Sequence, residues 1–422
     1  MFINNKGSEH MPLKGFSQCI GKSVKPYNGS QEKILKTHQV KIEPNAHMTR
    51  IIEDLFNYRR YCWNQALATW NNMYDESSIL DGKSLKPRGS TVRNEMVYNK
   101  QDWQYSRSAR VLQQTVADLE KAWKNFWNPN MPNHKKPKFK SRKNYCPTFS
   151  TDRAKIVAGK LVLDKPQGIS KSVWYGIRLR ETVRFEGKLK LCTIVQKADG
   201  LYASLIIETS QERTKPTTDE TVGIDVNVKR FNYNDGQKVI IYPDKLEKYY
   251  HRISYYQKVL ARKRKDNPYN FRTKRYAKVK TKLRREYQKV SNMQKDMLNK
   301  FTHDIVTQYS EIHIEDLNVR GMMMSKKMGK NLHRSIFGGL RDNLSYKCEW
   351  YGRKLVLVDR MYPSTQICSE CGYRKTADSY GGKQTLFGDS IHHNHQKYYC
   401  YNCGAILDRD ENAVENIKNY TE

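Results

Sequence analysis

Four of the nine cysteines stand in two Cys-x2-Cys pairs, Cys368/Cys371 and Cys400/Cys403, separated by 28 residues and each followed by a glycine, Gly372 and Gly404. Thiolates carried on two such tight turns make a closed tetrahedral zinc site, and with no ligand position left for water the zinc would be structural. The gap is longer than the usual spacing, so the residues between the pairs should form a loop or hairpin. His392, His393 and His395 are rival ligands at less regular spacing, and four free or redox-active thiols are the alternative. Cys19, Cys62, Cys146, Cys192 and Cys348 have no partner at ligand spacing and read as packing residues.

Three acids form a second set. Asp225 lies inside the apolar run GIDVN, where a carboxylate is costly to bury unless it holds a cation. Glu315 lies in EIHIED, and Asp410 opens the last helix, where an acid also serves as a partner for the helix dipole. Together they suggest carboxylates holding two Mg2+ or Mn2+ ions for phosphodiester hydrolysis, since oxygen donors suit hard cations. Asp316 and Asp408 compete for these roles, although Asp316 should point to the opposite face of its strand from Glu315.

The partner follows from charge. The 422 residues carry a formal net charge of +33, an excess that opposes compaction unless a polyanion neutralises it. Nucleic acid is the first candidate and a membrane surface the second, but no apolar run approaches the roughly 18 residues of a spanning helix. The N-terminus lacks the apolar core of a signal peptide, so a cytoplasmic, nucleoid-associated protein with reduced or metal-bound cysteines is expected. Residues 251–300 hold 17 Lys and Arg against 3 Asp and Glu, a local excess of +14 that points to phosphate binding. The 28 Tyr, 12 Phe and 7 Trp could stack on unpaired bases or simply pack helices.

The elements that must position these residues read as follows. Residues 1–35 are an extension, in which Met11 is a possible second start. KTHQVKI (36–42) alternates as a strand, closed by Pro44. Helical periodicity covers about 47–128, with a polar loop and short helix at about 75–103, and PNHKKPKFKSRKN (132–144) is a basic connector. Strands return over 146–208, where LCTIVQKADGLYASLIIE predicts a hairpin turning at Asp199-Gly200 in a type I′ turn. Strand 36–42 should rejoin that sheet, giving a β-barrel with a helical insertion. A linker spans 209–220. Then come a strand over 222–231, a turn at Asn234-Asp235-Gly236, a returning strand over 238–243, and basic helices broken at Asn267-Pro268. A strand over 311–316, a helix over 331–354, a strand over 354–359, the cysteine-rich insert and a final short helix complete the chain. That order suits a ribonuclease H-like α/β domain.

The strings G223-I-D-V-N-V-K229, I314-E-D-L-N318, P363-S-T-Q-I-C-S-E-C-G372, C400-Y-N-C-G404 and D408-R-D-E-N-A-V-E-N-I417, with LQQTVADLEKAWKNFW (112–127) and KPKFKS (136–141), resemble the TnpB family, transposon-encoded relatives of the type V CRISPR effectors. The resemblance spans roughly 36–422 and is most specific in the second half. It implies an α+β multidomain fold. A wedge β-barrel (36–46 and 145–210) would be interrupted by a helical recognition lobe with its connector (47–144). A RuvC-like nuclease domain (220–362 and 406–422) would follow, carrying a zinc-ribbon insert (363–405). It implies an RNA-guided DNA endonuclease, a monomer bound to a guide RNA, cutting double-stranded DNA beside a short flanking motif. Asp225, Glu315 and Asp410 would be the Mg2+-binding catalytic acids and Cys368, Cys371, Cys400 and Cys403 the zinc ligands. Two departures adjoin Asp225: Asn227 stands where glycine is commoner, and the hairpin KRFNYNDG is slightly short. A nuclease-inactive RNA-guided repressor of the same family is the alternative function, and a strand-joining transposase, which also uses three carboxylates, is a third.

Overall fold

The computed structural model describes residues 33–80, 86–131, 133–142, 146–166, 168–210, 214–227, 231–233, 237–239, 244–317, 337–385 and 387–421. Residues 1–32 of the expected extension and the turn Asn234-Asp235-Gly236 lie outside them, whereas 33–35, also expected in the extension, belong to the first strand, paired with 208–210. The chain divides into two compact units, residues 1–210 and 211–422.

The first unit is a seven-stranded, antiparallel, curled sheet with helices inserted after its first strand. β1 (Lys33–Glu43) leads into α1 (Ala46–Ile79), α2 (Gly89–Tyr98), α3 (Asp102–Tyr105) and α4 (Ala109–Trp127). The chain then returns through β2 (Thr148–Thr151), β3 (Lys155–Val157), β4 (Lys160–Val162), β5 (Ile177–Leu179), β6 (Lys188–Lys197) and β7 (Gly200–Ser210). The order is β2-β6-β7-β1-β5-β4-β3, so β1 does rejoin the later strands, paired with β7 from Lys33↔Ser210 to Ile42↔Leu201. β7 buries alternate residues, Leu201, Ala203, Leu205 and Ile207, as a sheet with one covered face requires. The α1 helix starts after Pro44, where Asn45 Oδ1 accepts from Met48 N at 2.8 Å. Its buried stripe, Ile52, Phe56, Trp63, Leu67 and Trp70, packs with Leu112, Val116, Leu119 and Trp123 of α4 in one core.

Three expectations are corrected here. β7 runs through Ser210, so 209 and 210 belong to the sheet and not to a linker. The β6–β7 turn is Ala198-Asp199, because Lys197 pairs with Gly200. Neither turn residue has a positive φ, so the type I′ conformation is absent there. The α1 helix also continues past 75 to Ile79, so less of 75–103 is loop than polarity suggests.

The second unit is built on a five-stranded sheet of order β10-β9-β8-β11-β12. The strands are β8 (Thr221–Val226), β9 (Phe231–Tyr233), β10 (Gln237–Val239), β11 (Glu311–Glu315) and β12 (Lys354–Val358). β8, β11 and β12 are parallel, whereas β9 and β10 run antiparallel. The expected single strand over 222–231 is therefore two strands, with Phe231 already paired back on Val226. Parallel neighbours need long crossovers. α5 (Asp244–Asp266) and α6 (Lys274–Gln308) link the hairpin to β11, broken at Asn267-Pro268 as the sequence predicts, and α7 (Phe337–Tyr351) links β11 to β12. The predicted start of that helix, 331–336, lies outside the described residues. α6 changes character along its length: its first half is basic and mostly exposed, whereas Leu298, Phe301 and Ile305 enter the sheet core with Val222, Ile224, Ile312 and Leu344. The β13 (Lys397–Tyr399) and β14 (Ile406–Asp408) ladder and α8 (Arg409–Lys418) close the unit.

Candidate metal centres

The cysteine quartet is assembled by two matching turns. Cys368 N donates to Tyr373 O and Gly372 N to Cys368 O; Cys400 N donates to Ala405 O and Gly404 N to Cys400 O. Each turn closes on a glycine in the left-handed region, Gly372 at φ 74° and Gly404 at φ 75°, which explains why glycine follows each pair. The sulfurs of Cys368 and Cys403 are 3.8 Å apart and those of Cys371 and Cys400 3.5 Å. Disulfide sulfurs would be about 2.05 Å apart. Four sulfurs at about 2.3 Å from one ion would be about 3.8 Å from each other, so the quartet has the dimensions of a zinc site. Among the described residues it is the group whose ligand atoms all fall within 4.8 Å of one another. Backbone donation at Tyr373, with the Asn402 amide, holds the Cys371 thiol down to about 6, toward the thiolate a metal needs.

The histidines stand apart from it. His392 stacks on Tyr399 with ring centroids 3.7 Å apart, and its Nδ1 faces Asp389 and Tyr401. Asp389 belongs to a knot the sequence reading missed. Lys375 and Asp389, both fully buried, pair at 3.0 Å, Tyr401 donates to the same Asp389 oxygen at 2.6 Å, and the Lys375 ammonium lies over the Tyr398 and Tyr401 rings.

The acids come from three elements. Asp225 and Glu315 sit toward the carboxyl ends of the parallel neighbours β8 and β11, one residue beyond the paired Ile224 and Ile314. Asp410 is in the first turn of α8, which lies so close on β8 that a Cβ on Gly223 would meet Val414 O at 2.3 Å and Lys418 N at 2.6 Å. Glycine at 223 is what lets the helix carry Asp410 to the strand. Asn227 Nδ2 donates to Asp225 Oδ2 at 2.9 Å and to Asp410 Oδ2 at 3.3 Å. Asn232 reaches Asp225 at 3.5 Å, Arg409 pairs with Asp410 at 3.1 Å, and Ser364 Oγ donates to Glu315 at 2.8 Å. Burial, then the charges of Glu315 and Asp410, push the Asp225 carboxyl up to about 7, and burial raises Glu315 against the pull of the Ser364 hydroxyl. The trio is electrostatically one site, with the charges of Glu315 and Asp410 both acting on Asp225.

The rival acids are occupied elsewhere. Asp316 is paired with Arg341 at 2.7 Å and Arg360 at 2.6 Å. Asp408 caps α8, accepting from Asp410 N and Glu411 N. The last helix also ties the two centres together. Asn412 donates to Ile367 O and accepts from Ser369 N, and Asn416 donates to Ser364 O and Ile367 O. The motif DRDENAVEN thus supplies a cap, an acid and two asparagines that grip the first cysteine turn. Of the residues around the acids, Ser364, Arg409 and Asn412 lie inside the quoted strings but had no assigned role, and Asn227 stood out only as a departure.

Comparisons with known proteins add the family. Residues 204–326 match the OrfB IS605 family, described as "Probable transposase", and residues 337–417 the "Cas12f1-like, TNB domain". Residues 34–78 match an OrfB IS605 "Helix-turn-helix domain". The chain is 28% identical over 309 residues to a Streptomyces pristinaespiralis protein named "Putative RNA-guided DNA endonuclease", covering 72% of this chain and 70% of the relative. It is 25% identical to InsQ of Escherichia coli (strain K12), of the same designation, over 85% of each chain. It is 30% identical over 154 residues to the "TnpB-like protein L79" of Acanthamoeba polyphaga mimivirus, covering 35% of this chain and 26% of the relative. By these matches the chain is similar to the TnpB-type proteins. Its fold is similar to the protein in the "Cryo-EM structure of the Cas12f1-sgRNA-target DNA complex", at a TM-score of 0.50 and 14% identity, over 92% of this chain and 99% of that one. In this chain the segment 34–78 is a strand and one long helix rather than a helix-turn-helix. No described helix is long and apolar enough to cross a membrane.

Proposed function

We propose that this TnpB-family chain is an RNA-guided DNA endonuclease whose hydrolytic centre is Asp225, Glu315 and Asp410. The reading is carried by the way β8, β11 and α8 bring together acids up to 185 positions apart in sequence, so that the charges of Glu315 and Asp410 act on a buried Asp225. The donor set fits hard divalent cations: three largely buried carboxylates, one pushed up to about 7 by burial and then by its acidic neighbours, gain most from a cation among them. Bound Mg2+ would supply an activated water and stabilise the charge that develops at the phosphate. The chain's own groups hold the acids in place, Ser364 aiming Glu315 and Arg409 aiming Asp410. The order of the five-stranded sheet, with acids at the carboxyl ends of two parallel strands, supports a RuvC-like domain over 220–362 and 406–422.

In the same reading, residues 363–405 are a zinc ribbon held by Cys368, Cys371, Cys400 and Cys403. Residues 36–46 and 145–210 form the wedge, and 47–144 the recognition lobe. The exposed basic residues of α5 and α6 track phosphates of the guide RNA and target DNA, and the protein works as a monomer in the cytoplasm. The test is cleavage of a matched, motif-flanked duplex by the purified RNA complex in Mg2+. Cutting that survives Asp225→Ala rejects the site. Tight binding without nicking, even in Mn2+, replaces the nuclease with a repressor.

A further inference from the structure

The Asn227 amide sits where the acid site is most crowded. Its Nδ2 lies 2.9 Å from Asp225 Oδ2 and 3.3 Å from Asp410 Oδ2. Carboxylates of this kind accept and cannot donate when ionised, so the nitrogen, not the oxygen, must be the atom that faces them. One amide proton goes to each acid, and the amide stands in for positive charge between two groups that repel each other.

We propose that Asn227 is a latch for the ion-free state: it holds Asp225 and Asp410 together when no cation is present and thereby raises the concentration of divalent ion needed to fill the site. This rests on the reading of the trio as a cation site. A cation approaching the two Oδ2 atoms meets the positive end of the amide dipole, so both hydrogen bonds must be given up or weakened as the ion enters. An interaction made in only one of two states shifts the equilibrium toward that state by its own free energy. Glycine at this position would have no side chain to donate, so Asn227 makes the threshold a property of this chain and not of the three acids alone. Asn227 is a positioning residue, acting through Asp225 and Asp410.

The experiment is equilibrium Mn2+ binding to the zinc-loaded full-length chain, followed by the loss of the free Mn2+ resonance signal, which reads occupancy without cleavage. Parent, Asn227→Gly, Asn227→Leu and Asp225→Ala are compared. Leucine keeps the bulk of the side chain and removes both amide atoms, so it separates the donors from the backbone freedom that glycine adds. The expected result is a half-saturating Mn2+ concentration about tenfold lower in both Asn227 variants. Half-saturation that is unchanged, or that rises because the amide oxygen serves as a ligand, overturns the latch. A lower melting midpoint in both variants with unmoved Mn2+ binding also overturns it, since that is a purely structural role. Asp225→Ala distinguishes the two levels of the argument: loss of Mn2+ binding upholds the acid site on which the latch depends, whereas parental binding rejects the acid site itself.

Discussion

The cysteine quartet and the acid trio lie in one unit and are built in opposite ways. The quartet is made of two copies of one local turn, each complete within six residues, and the fold only has to bring the two turns together. The trio has no local motif. It needs a parallel strand pair, a helix that starts at the right height, and a glycine that lets the helix touch the strand. Local construction makes the quartet a stabilising element, since metal binding there adds to folding free energy. Distributed construction makes the trio a cost in the absence of cation, because the fold holds like charges together against burial. A centre that costs stability and is still assembled is where function is expected.

The largest effect that could break this contrast is on activity. Asp225→Ala should lower cleavage by at least about a thousandfold. It should leave zinc content unchanged and, without divalent ion, leave the melting midpoint equal or higher, because one of three mutually repelling acids is gone. Cleavage assay, metal analysis and thermal melting together check it. A midpoint that falls by several degrees would mean the trio is structural. Cys368→Ser should do the reverse: zinc is lost, and the second unit loses part of the about 10–16 kcal/mol that structural zinc sites supply. Retained zinc at one ion per chain would discard the quartet.

How much of this was legible in the sequence follows the same division. Cys368, Cys371, Cys400 and Cys403 were readable because their chemistry is written at fixed spacing. Asp225 stood out because an acid in an apolar strand is anomalous; Glu315, in a strand, and Asp410, at a helix entry, were weaker signals alone, which the family strings sharpened. The strand that returns to the sheet and the two basic helices were readable from periodicity and from Asn267-Pro268. The turn at Ala198-Asp199 was misplaced because the Asp-Gly pair is a strong signal that pairing register overrode by one residue. The break of 222–231 was hidden because apolar residues stand on both sides of it, Val226 and Phe231, which pair with each other across the two strands. Ser364, Asn412 and Asn416 could not be found at all: their roles depend on which backbone groups come within reach, and that is a tertiary fact.

A third prediction sharpens the claim that the insert between the cysteine turns has a hold of its own. Lys375→Met leaves Asp389 buried without its cation. Breaking a buried pair this way costs about 3–5 kcal/mol, and both side chains are fully buried. Asp389 is held below the usual carboxylate range despite burial by Tyr401, the His392 amide and Lys375. A depressed folded-state value contributes stability above the unfolded-state value, and that stability is lost as pH falls through it. Parent protein should therefore lose stability on acidification below about pH 4, and Lys375→Met should lose less over that range, having less left to lose. Zinc content should stay at one per chain. Unfolding curves at neutral and acid pH, with metal analysis, decide it; concurrent loss of zinc would show that the pair and the metal are one structural device.

The smallest expected effect concerns the link between the centres. Asn416 donates to Ser364 O at 2.8 Å and to Ile367 O at 2.7 Å, and Ser364 in turn aims Glu315. Asn416→Ala takes this donor from the Ser364 carbonyl and leaves Ile367 O to Asn412 alone, and should cost about 1–3 kcal/mol in stability. If the asparagine only fastens the first cysteine turn, zinc affinity falls and cleavage at saturating zinc is normal. If it also sets the Ser364 hydroxyl, cleavage falls by up to about tenfold with zinc saturated, and a Ser364→Ala variant shows no further loss when Asn416→Ala is added. The second pattern is expected, because the Ser364 carbonyl and hydroxyl belong to one residue and the hydroxyl cannot hold its direction when the backbone beneath it is released. Fully additive losses in that double-mutant cycle would separate the two centres, leaving the last helix as a shared scaffold with no coupling between the acids and the cysteine turn.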